Sequence, residues 1–236
     1  MVSDWEMEAH SWVRWARTPG LDEYWRYREL FFGALVPPPG RRALEIGSGE
    51  GRVARDLAAT GHSVVGLDSS PTLARYAKEA ATGPSYLLAD AGALPFPDES
   101  FDLVVAYNSL MDVEDMPAAV SEAARVLTRP GHFCIGVTHP FADTGEFIGE
   151  GPDARFTMTR PYFGHRRFEG TAQRDGLTMT FRGWTYSLED YAMALESAGL
   201  VFELLREPRP TGSSGGDQSE LPLPMFLYLR ALKPAP

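Results

Sequence analysis

Short, mostly apolar runs alternate with amphipathic stretches along the first 140 residues of the chain. The apolar runs have the length of β-strands and cover residues 42–46, 63–67, 85–89, 103–106 and 133–137. The stretches between them carry apolar residues at helical spacing and predict helices over residues 51–60, 71–81 and 115–127. Because strands and helices alternate, we expect a parallel sheet with helices on both of its faces.

The pattern changes after residue 140. Aromatic and threonine-rich pieces at residues 162–168 and 177–184 predict antiparallel strands, which would form a flap inserted at residues 141–186. A helix over residues 188–198 is predicted from a Ser-x-x-Asp capping box that begins at Ser187. Strands at 201–206 and 225–231, joined by a Gly/Ser-rich surface loop at 208–220, would complete a doubly wound α/β sheet of seven strands whose last strand is antiparallel.

The amino-terminal segment is rich in aromatic residues. Four of the five tryptophans lie within residues 1–36, and a helix is predicted over residues 23–35, after Asp22. This helix could pack on the sheet, or it could belong to a lid whose rings line a pocket. We therefore divide the chain into an amino-terminal helical lid at residues 1–36 and a domain at residues 37–236 that contains the flap.

Composition limits the kinds of partner. A formal charge of −10 argues against nucleic acid or an anionic membrane as the main partner, because phosphate contacts need clustered Lys and Arg. The single cysteine, Cys134, lies in an apolar run and is expected to be a buried hydrophobic residue. No run approaches the roughly 18 apolar residues of a membrane span, so we expect a soluble, cytoplasmic protein. The sequence does not predict an oligomeric state.

A glycine-rich turn follows the first predicted strand. Residues 43–51 have the sequence Ala-Leu-Glu-Ile-Gly-Ser-Gly-Glu-Gly. Such turns, at the carboxyl ends of strands in open α/β sheets, bind nucleotides. The dinucleotide fingerprint needs a third small residue where this chain has Arg52, and the Glu45 carboxylate would repel a pyrophosphate. The turn therefore favours a nucleotide that carries positive charge.

A second acid supports nucleotide binding. Asp68 ends the second predicted strand, 19 residues after Gly49 (68 − 49). A carboxylate at this strand end can accept hydrogen bonds from both hydroxyls of a ribose. Enzymes that bind nicotinamide cofactors use the same arrangement, so Asp68 does not distinguish among nucleotides.

At residues 44–51 the chain resembles the first motif of the class I S-adenosylmethionine (SAM)-dependent methyltransferases. Residues 94–102, Leu-Pro-Phe-Pro-Asp-Glu-Ser-Phe-Asp, are similar to a segment of the small-molecule, type 11-like members. The resemblance extends over residues 40–137 and implies the Rossmann-like fold of that family. It does not cover the first 36 residues or the flap, and His132 stands where the family usually has a second glycine in a Lys-Pro-Gly-Gly turn.

The resemblance implies SAM as methyl donor, S-adenosylhomocysteine (SAH) as product, and no metal. It implies that Asp90 meets the adenine amine and that the chain at Asn108 passes beneath the methionine part. Arg28 could bind the cofactor's carboxylate or form a surface ion pair. The predicted cofactor-binding residues are Glu45, Gly47, Ser48, Gly49, Asp68, Ser69, Asp90, Ala91, Asn108, Ser109 and Arg28.

Methyl transfer from a sulfonium is an in-line displacement, so holding donor and acceptor in line can supply much of the catalysis. An acceptor that loses a proton would also need a general base. His139, which follows the fifth predicted strand, is our candidate because its ordinary pKa lies near neutrality. Tyr24 and Tyr27 could act through a relay, and Asp112 is a further candidate. Each could instead have a purely structural role.

The acceptor is expected to be a small molecule. Methyltransferases of nucleic-acid amino groups that resemble this core carry Asp/Asn-Pro-Pro-Tyr where this chain has Asn108 followed by Ser-Leu-Met. Aromatic side chains stack well on planar rings, so we expect an aromatic or heteroaromatic acceptor. The chain is similar to bacterial secondary-metabolism methyltransferases, including those that methylate carbon 3 of indoles; N- or O-methylation is the alternative. A nicotinamide-dependent oxidoreductase and a non-catalytic SAM-binding protein are the alternatives from other classes.

Overall fold

A computed structural model describes residues 3–80, 82–149, 154–209 and 223–235. The helices are α1 (Asp4–Arg17), α2 (Tyr24–Leu35), α3 (Arg52–Ala59), α4 (Pro71–Glu79), α5 (Met116–Val126) and α6 (Leu188–Ser197). The strands are β1 (Arg42–Ile46), β2 (Ser63–Asp68), β3 (Ser85–Leu88), β4 (Phe101–Tyr107), β5 (Leu127–Thr138), β6 (Gly145–Ile148), β7 (Arg155–Met158), β8 (Arg166–Arg174), β9 (Leu177–Thr185), β10 (Val201–Arg206) and β11 (Phe226–Lys233). Most of the loop predicted at 208–220 lies outside the described residues.

Seven strands form one sheet in the order β10-β11-β5-β4-β1-β2-β3. Strands β1 to β5 are parallel, and β11 runs antiparallel to both β5 and β10. The predicted fold class is therefore confirmed. Because the chain winds outward in both directions from β1 and β4, a crevice forms where the strand order reverses, at the carboxyl ends of these strands.

Local sequence explains the regular elements. The central strand β4 is apolar and buried on both faces from Leu103 onward, as expected for a strand with helices on either side. Helix α4 begins where the Ser70 hydroxyl accepts a hydrogen bond from the Leu73 amide at 3.1 Å and Pro71 occupies the first turn. The predicted capping box at the start of α6 is present, formed by Ser187 and Asp190.

Helix α2 packs on the sheet. Tyr27 meets Phe226 of β11 edge-on, with ring centroids 4.7 Å apart, and Phe31 meets Tyr107 of β4 at 4.8 Å. The Asp22 carboxylate accepts a hydrogen bond from the Tyr24 amide at 2.8 Å, in the first turn of α2. Of the two interpretations that the sequence left open for this helix, the contacts support packing on the sheet.

Helix α1 covers the carboxyl edge of the sheet, where it contacts α4 and the flap strand β9. Trp5 and Trp12 meet edge to face at 5.3 Å, and Trp12 and Trp15 each approach Phe181 of β9 at 6.3 and 6.1 Å. The lid-like position predicted for the amino-terminal segment is therefore occupied by α1 rather than by α2. The division of the chain at residue 36 stays a prediction.

The flap consists of two hairpins, β6–β7 and β8–β9. The predicted strand at 162–168 is shifted, because β8 covers Arg166–Arg174 and the aromatic residues before it lie in a turn. Tyr162 in that turn accepts a hydrogen bond from the Leu188 amide at 3.0 Å, at the start of α6. None of the helices in the described ranges combines the length and the apolarity that a membrane span requires.

Candidate active site

A cavity of about 800 Å³ lies at the carboxyl ends of the parallel strands. Its wall includes residues from the turns after β1, β2, β3, β4 and β5, together with α1 and both hairpins of the flap. Segments as far apart in sequence as Trp5 and Phe226 therefore enclose one space. This is the crevice in which open α/β sheets bind their ligands.

The glycine turn forms one end of the cavity. Gly47 has φ +69°, and a Cβ added to it would lie 2.4 Å from the Ser109 Cβ. Gly49 has φ +55°, and its amide donates a hydrogen bond to the Asp68 carboxylate at 2.7 Å. Both positions need glycine because left-handed backbone disfavours other residues, and at Gly47 there is also no room for a side chain.

Asp68, at the end of β2, connects the glycine turn to the start of α4. Its second carboxylate oxygen accepts a hydrogen bond from the Ser70 amide at 2.8 Å, so the side chain joins the glycine turn to the start of α4. Burial raises the pKa of Asp68, while the hydrogen bonds from the Ser70 and Gly49 amides lower it. The carboxylate is fixed in place on the cavity wall, where the resemblance expects the ribose.

Three buried oxygen atoms on the wall have no hydrogen-bond partner among the described residues. They are Glu45 Oε2, Ser48 Oγ and Asn108 Oδ1. Burial raises the pKa of Glu45 well above its ordinary value, and the charges of Asp68 and Glu50 add to this. Since buried polar groups normally have partners, these oxygens indicate a ligand with hydrogen-bond donors or positive charge. The amino group and sulfonium of SAM fit this requirement.

Ten of the eleven predicted cofactor-binding residues line the cavity. These ten are Glu45, Gly47, Ser48, Gly49, Asp68, Ser69, Asp90, Ala91, Asn108 and Ser109. Arg28 is not on the wall, because α2 directs it to Asp56, at 3.1 Å, and over the Trp25 ring, at 5.1 Å. The ion pair that the sequence left open as an alternative is therefore what the structure shows for Arg28.

Arg52, unlike Arg28, lines the cavity. It is buried on the cavity wall, with its guanidinium 3.0 Å from the Asp22 carboxylate and over the rings of Trp12 and Tyr24 at 4.9 and 4.5 Å. The same arginine was the residue that did not fit the dinucleotide fingerprint. Arg52 opens the first turn of α3, directly after the glycine turn. This position in the sequence is the feature from which its place on the cavity wall could have been predicted.

Three of the predicted catalytic residues, His139, Tyr24 and Tyr27, do not line the cavity, whereas Asp112 does. Tyr24 donates a hydrogen bond to Asp56 at 2.6 Å, and Tyr27 is buried against Phe226. The His139 side chain is also buried: Nδ1 accepts from the Phe141 amide at 3.2 Å and Nε2 lies 3.2 Å from Glu207. Burial lowers the pKa of His139, and Glu207 opposes that shift. Their catalytic roles stay predictions, which this placement does not support.

The cavity also has an aromatic wall, part of which, at Trp12, adjoins Gly49 of the glycine turn. Its rings come from α1 and from the flap, and they belong to Trp5, Trp12, Trp15, Phe147, Phe156, Phe168, Phe181 and Trp184. The sequence predicted the tryptophans of the first segment but not the flap residues. Alternate residues of β8 line the cavity: Phe168, Gly170, Ala172 and Arg174. This spacing of two along the strand is the feature of the sequence from which their place on the wall could have been predicted.

Comparison with known proteins agrees with this geometry. Residues 44–135 match the family model described as a methyltransferase domain. The solved structure of an S-adenosylmethionine-dependent methyltransferase from Mesorhizobium loti is similar, with a TM-score of 0.71, 25% identity, and coverage of 88% of this chain and 97% of that one. A putative S-adenosylmethionine-dependent methyltransferase from Listeria monocytogenes has a TM-score of 0.74 at 19% identity, covering 90% and 99% of the two chains, which shows the fold alone.

Curated relatives are also methyltransferases by name. The demethylmenaquinone methyltransferase of Beutenbergia cavernae is 38% identical over 112 residues, which are 48% of this chain and 45% of the relative. That of Tropheryma whipplei is 28% identical over 181 residues, 75% of this chain and 73% of the relative. The chain thus matches about half the length of the first of these relatives.

The sheet and the cavity where its strand order reverses are those of an α/β protein with a ligand crevice at the strand ends. Residues 44–135 form a methyltransferase domain, and over most of its length the chain is similar in structure to an S-adenosylmethionine-dependent methyltransferase. The resemblance stated from the sequence is therefore confirmed.

Proposed function

We propose that this protein transfers a methyl group from SAM to a small aromatic acceptor. The observation that carries the proposal is the set of unpartnered oxygens of Glu45, Ser48 and Asn108, which lie on the wall of a cavity that also has an aromatic end. One end fits a cationic nucleoside, and the other fits a planar ring. A cavity of about 800 Å³ has the volume of sites that hold small molecules.

Residues at the first end would hold SAM. Asp68 would accept the ribose hydroxyls, Asp90 would meet the adenine amine, and Glu45 would face the positively charged amino acid part. When bound, SAM supplies a methyl group on a sulfonium, whose leaving group is a neutral thioether. The protein therefore needs mainly to hold the two reactants in line. A cytoplasmic location and action without a metal are part of the proposal and rest on the sequence prediction.

The aromatic end supports an aromatic acceptor. Offset or edge-on contacts with rings such as Trp5, Trp12 and Phe181 contribute about 0.5–1.5 kcal/mol per pair beyond area burial. The relatives' name, demethylmenaquinone methyltransferase, suggests a hydroquinone as one acceptor. An indole-like acceptor from secondary metabolism, expected from the sequence, is the other that we propose to test.

Two measurements test the proposal. Calorimetric titration should show binding of SAH and no binding of NADH. Incubation with SAM and a panel of hydroquinones, indoles, phenols and amines should give a product heavier by one methyl group in the mass spectrum. Binding of NADH but not SAH would support the oxidoreductase instead. Binding of SAH without product from any acceptor class would support a non-catalytic SAM-binding protein.

A further inference from the structure

Two acidic side chains lie at the acceptor end of the cavity. Asp112 ends the 3₁₀ turn Leu110–Asp112 after β4, and Asp143 lies in the 3₁₀ turn Ala142–Thr144 after β5. Strands β4 and β5 are adjacent and parallel, so the turns that follow them lie side by side at the carboxyl edge of the sheet. Both residues line the cavity.

Asp112 lies where the core, the flap and α1 meet. A Cβ added to Gly183 of β9 would lie 3.0 Å from Asp112 Oδ1 and 2.8 Å from the Met111 carbonyl oxygen, so the flap strand packs its backbone directly on this turn. From α1, the buried indole N–H of Trp5 lies near the same carboxyl without making a hydrogen bond of normal geometry. The acid is therefore held by close packing rather than by a fixed hydrogen-bond partner.

Three of the four arginines on the cavity wall are paired with carboxylates. Arg174 lies 3.2 Å from Glu23, Arg182 lies 3.0 Å from Glu8, and Arg52 is paired with Asp22. By contrast, within the described ranges no basic side chain comes within 4.0 Å of either acid. The Arg160 guanidinium donates a hydrogen bond at 3.4 Å to the backbone carbonyl oxygen of Asp143, not to its carboxylate. Neither acid therefore has an ion-pair partner among the described residues, although Arg160 also lines the cavity and its charge acts on Asp143.

The surroundings of the pair favour a proton on it. Burial raises the pKa of Asp143 to about 7, and the more distant charge of Arg160 opposes the shift. Burial also raises the pKa of Asp112 well above its ordinary value; Trp5 opposes this, while Asp68, Asp143 and Asp4 add to it. Burial raises the pKa of the Tyr191 phenol on α6, and the charges of Asp143 and Asp112 add to this.

We propose that Asp112 and Asp143 form a proton-accepting pair for an O–H or N–H group of the acceptor. The inference rests on the proposed function and goes beyond it by assigning a base. The acceptor oxygen or nitrogen would form a bond to the methyl carbon while the electron pair of the broken carbon–sulfur bond goes to sulfur. The acceptor's proton would pass to a carboxylate of the pair, and from there to water after the product leaves.

A carboxyl pair is well suited to this step. Two acids in one desolvated site release their protons at different pH values, so one is ionised while the other still holds a proton. A base whose pKa lies near the working pH combines a useful ionised fraction with a strong tendency to accept a proton. The acceptor class that this assigns is a neutral phenol, hydroquinone or heteroaromatic N–H compound rather than an anion, because an anion would be repelled by the pair.

The test compares Asp112→Asn and Asp143→Asn with the matched control Asp175→Asn. Asp175 is exposed in the β8–β9 turn at φ +48°, a conformation that asparagine tolerates. An amide has nearly the shape of a protonated carboxyl, so we expect all three variants to fold, and a thermal unfolding midpoint near that of the wild type checks this. SAH affinity should change by less than about twofold, because neither acid belongs to the cofactor end.

Turnover is measured with phenols of graded acidity, as a probe series. For phenols that are neutral at the assay pH, each Asn variant should lose about 10²- to 10⁴-fold in kcat. For phenols already ionised at that pH, the loss should shrink to a few fold, since no proton remains to be accepted. An equal loss across the series would indicate a positioning role and would overturn the assignment, as would full turnover of neutral phenols in both variants.

The pH profile gives a second readout. With a neutral phenol, wild-type kcat/KM should rise as the pH increases through about 7 and then level off, because the base must be ionised. The Asp143→Asn variant should lose that rise. A wild-type protein that methylates no acceptor would overturn the proposed function and this inference together. Methylation by the wild type with unchanged profiles in both variants would overturn the inference alone.

Discussion

The two ends of the cavity are built in different ways. At the cofactor end, backbone turns at neighbouring strand ends form the wall, within residues 45–109. At the acceptor end, side chains from α1 meet side chains from β9 of the flap, more than 160 residues further along the chain, as Trp12 and Phe181 do at 6.3 Å. The first kind of site follows from local backbone conformation, whereas the second depends on long-range packing.

The contacts that hold the two ends differ as well. Buried hydrogen bonds from main-chain amides fix Asp68 at the cofactor end. At the acceptor end, α1 is joined to the flap by ion pairs such as Glu8–Arg182, at 3.0 Å, which are partly exposed to solvent. Such pairs contribute about 0–1 kcal/mol each. Loss or rearrangement of contacts at the acceptor end should therefore cost less folding free energy than at the cofactor end.

The largest effect is expected from Gly47→Ala at the cofactor end. The new methyl group would lie 2.4 Å from the Ser109 Cβ, in a residue with φ +69°. We expect loss of SAH binding by more than about 100-fold and a decrease of about 1–3 kcal/mol in the free energy of unfolding. Calorimetric titration and urea unfolding measure the two effects.

Gly176→Ala is the matched control for that variant. Gly176 has φ +74° but nothing within 4 Å of an added Cβ, and it lies in the β8–β9 turn. It should show only the cost of left-handed backbone, about 1 kcal/mol, with unchanged SAH affinity. Wild-type affinity in Gly47→Ala would mean that the glycine turn does not contact the ligand.

Asp68→Asn should have the next largest effect. The carboxylate accepts hydrogen bonds from two amides, and an asparagine would present an NH₂ group to one of them. We expect SAH affinity to fall about 10- to 100-fold, as for the loss of one hydrogen bond to a charged group. Asp102→Asn, which affects a carboxylate that accepts from the Arg42 amide away from the cavity, should leave that affinity unchanged.

The difference between the two ends of the cavity also explains which parts of the fold and the site could be predicted from the sequence. Glycine spacing, the acid at the end of β2 and the apolar strands are local features, and they predicted the sheet and the glycine turn; together with the family resemblance they placed ten predicted residues on the cavity wall. The role of Arg28 could not be predicted because it depends on which side of α2 faces the sheet, and Tyr27 and Phe31 decide that. Asp143 was not predicted because only the pairing of β4 with β5 brings its turn to the same cavity as Asp112. Hairpin β6–β7 was missed because its strands are only four residues long.

A smaller effect is expected from Glu6→Gln, which loosens α1. The Glu6 carboxylate accepts hydrogen bonds from the Thr72 amide at 3.1 Å and hydroxyl at 2.7 Å, and from the Ser70 hydroxyl, at the positive end of α4. We expect a loss of about 1 kcal/mol in stability and faster hydrogen exchange in α1, with SAH affinity little changed. Glu29→Gln, on the exposed side of α2, is the control.

The Glu6 contribution should depend on pH in a defined direction. Partial burial raises the pKa of Glu6, but the hydrogen bonds from Ser70 and Thr72 outweigh it and lower the pKa below 4.5. A group with a depressed folded-state pKa stabilises the protein above its unfolded-state pKa, and that stabilisation is lost as the pH falls through the folded value. The difference in unfolding free energy between wild type and Glu6→Gln should therefore be constant near neutrality and shrink below about pH 4.5. A difference independent of pH would show that the contact does not involve the ionised carboxylate.

The smallest effect is expected from Arg28→Met, set beside Arg52→Met. The pair of Arg28 with Asp56 is about one third exposed on both sides, so its loss should change stability by no more than about 1 kcal/mol. SAH affinity should stay within about twofold, since Arg28 does not reach the cavity. Arg52 lies on the wall, and its removal should weaken SAH binding about tenfold or more, because a buried cation on the wall would be lost. The reverse ranking of the two variants would mean that α2, rather than the first turn of α3, faces the cofactor when it binds.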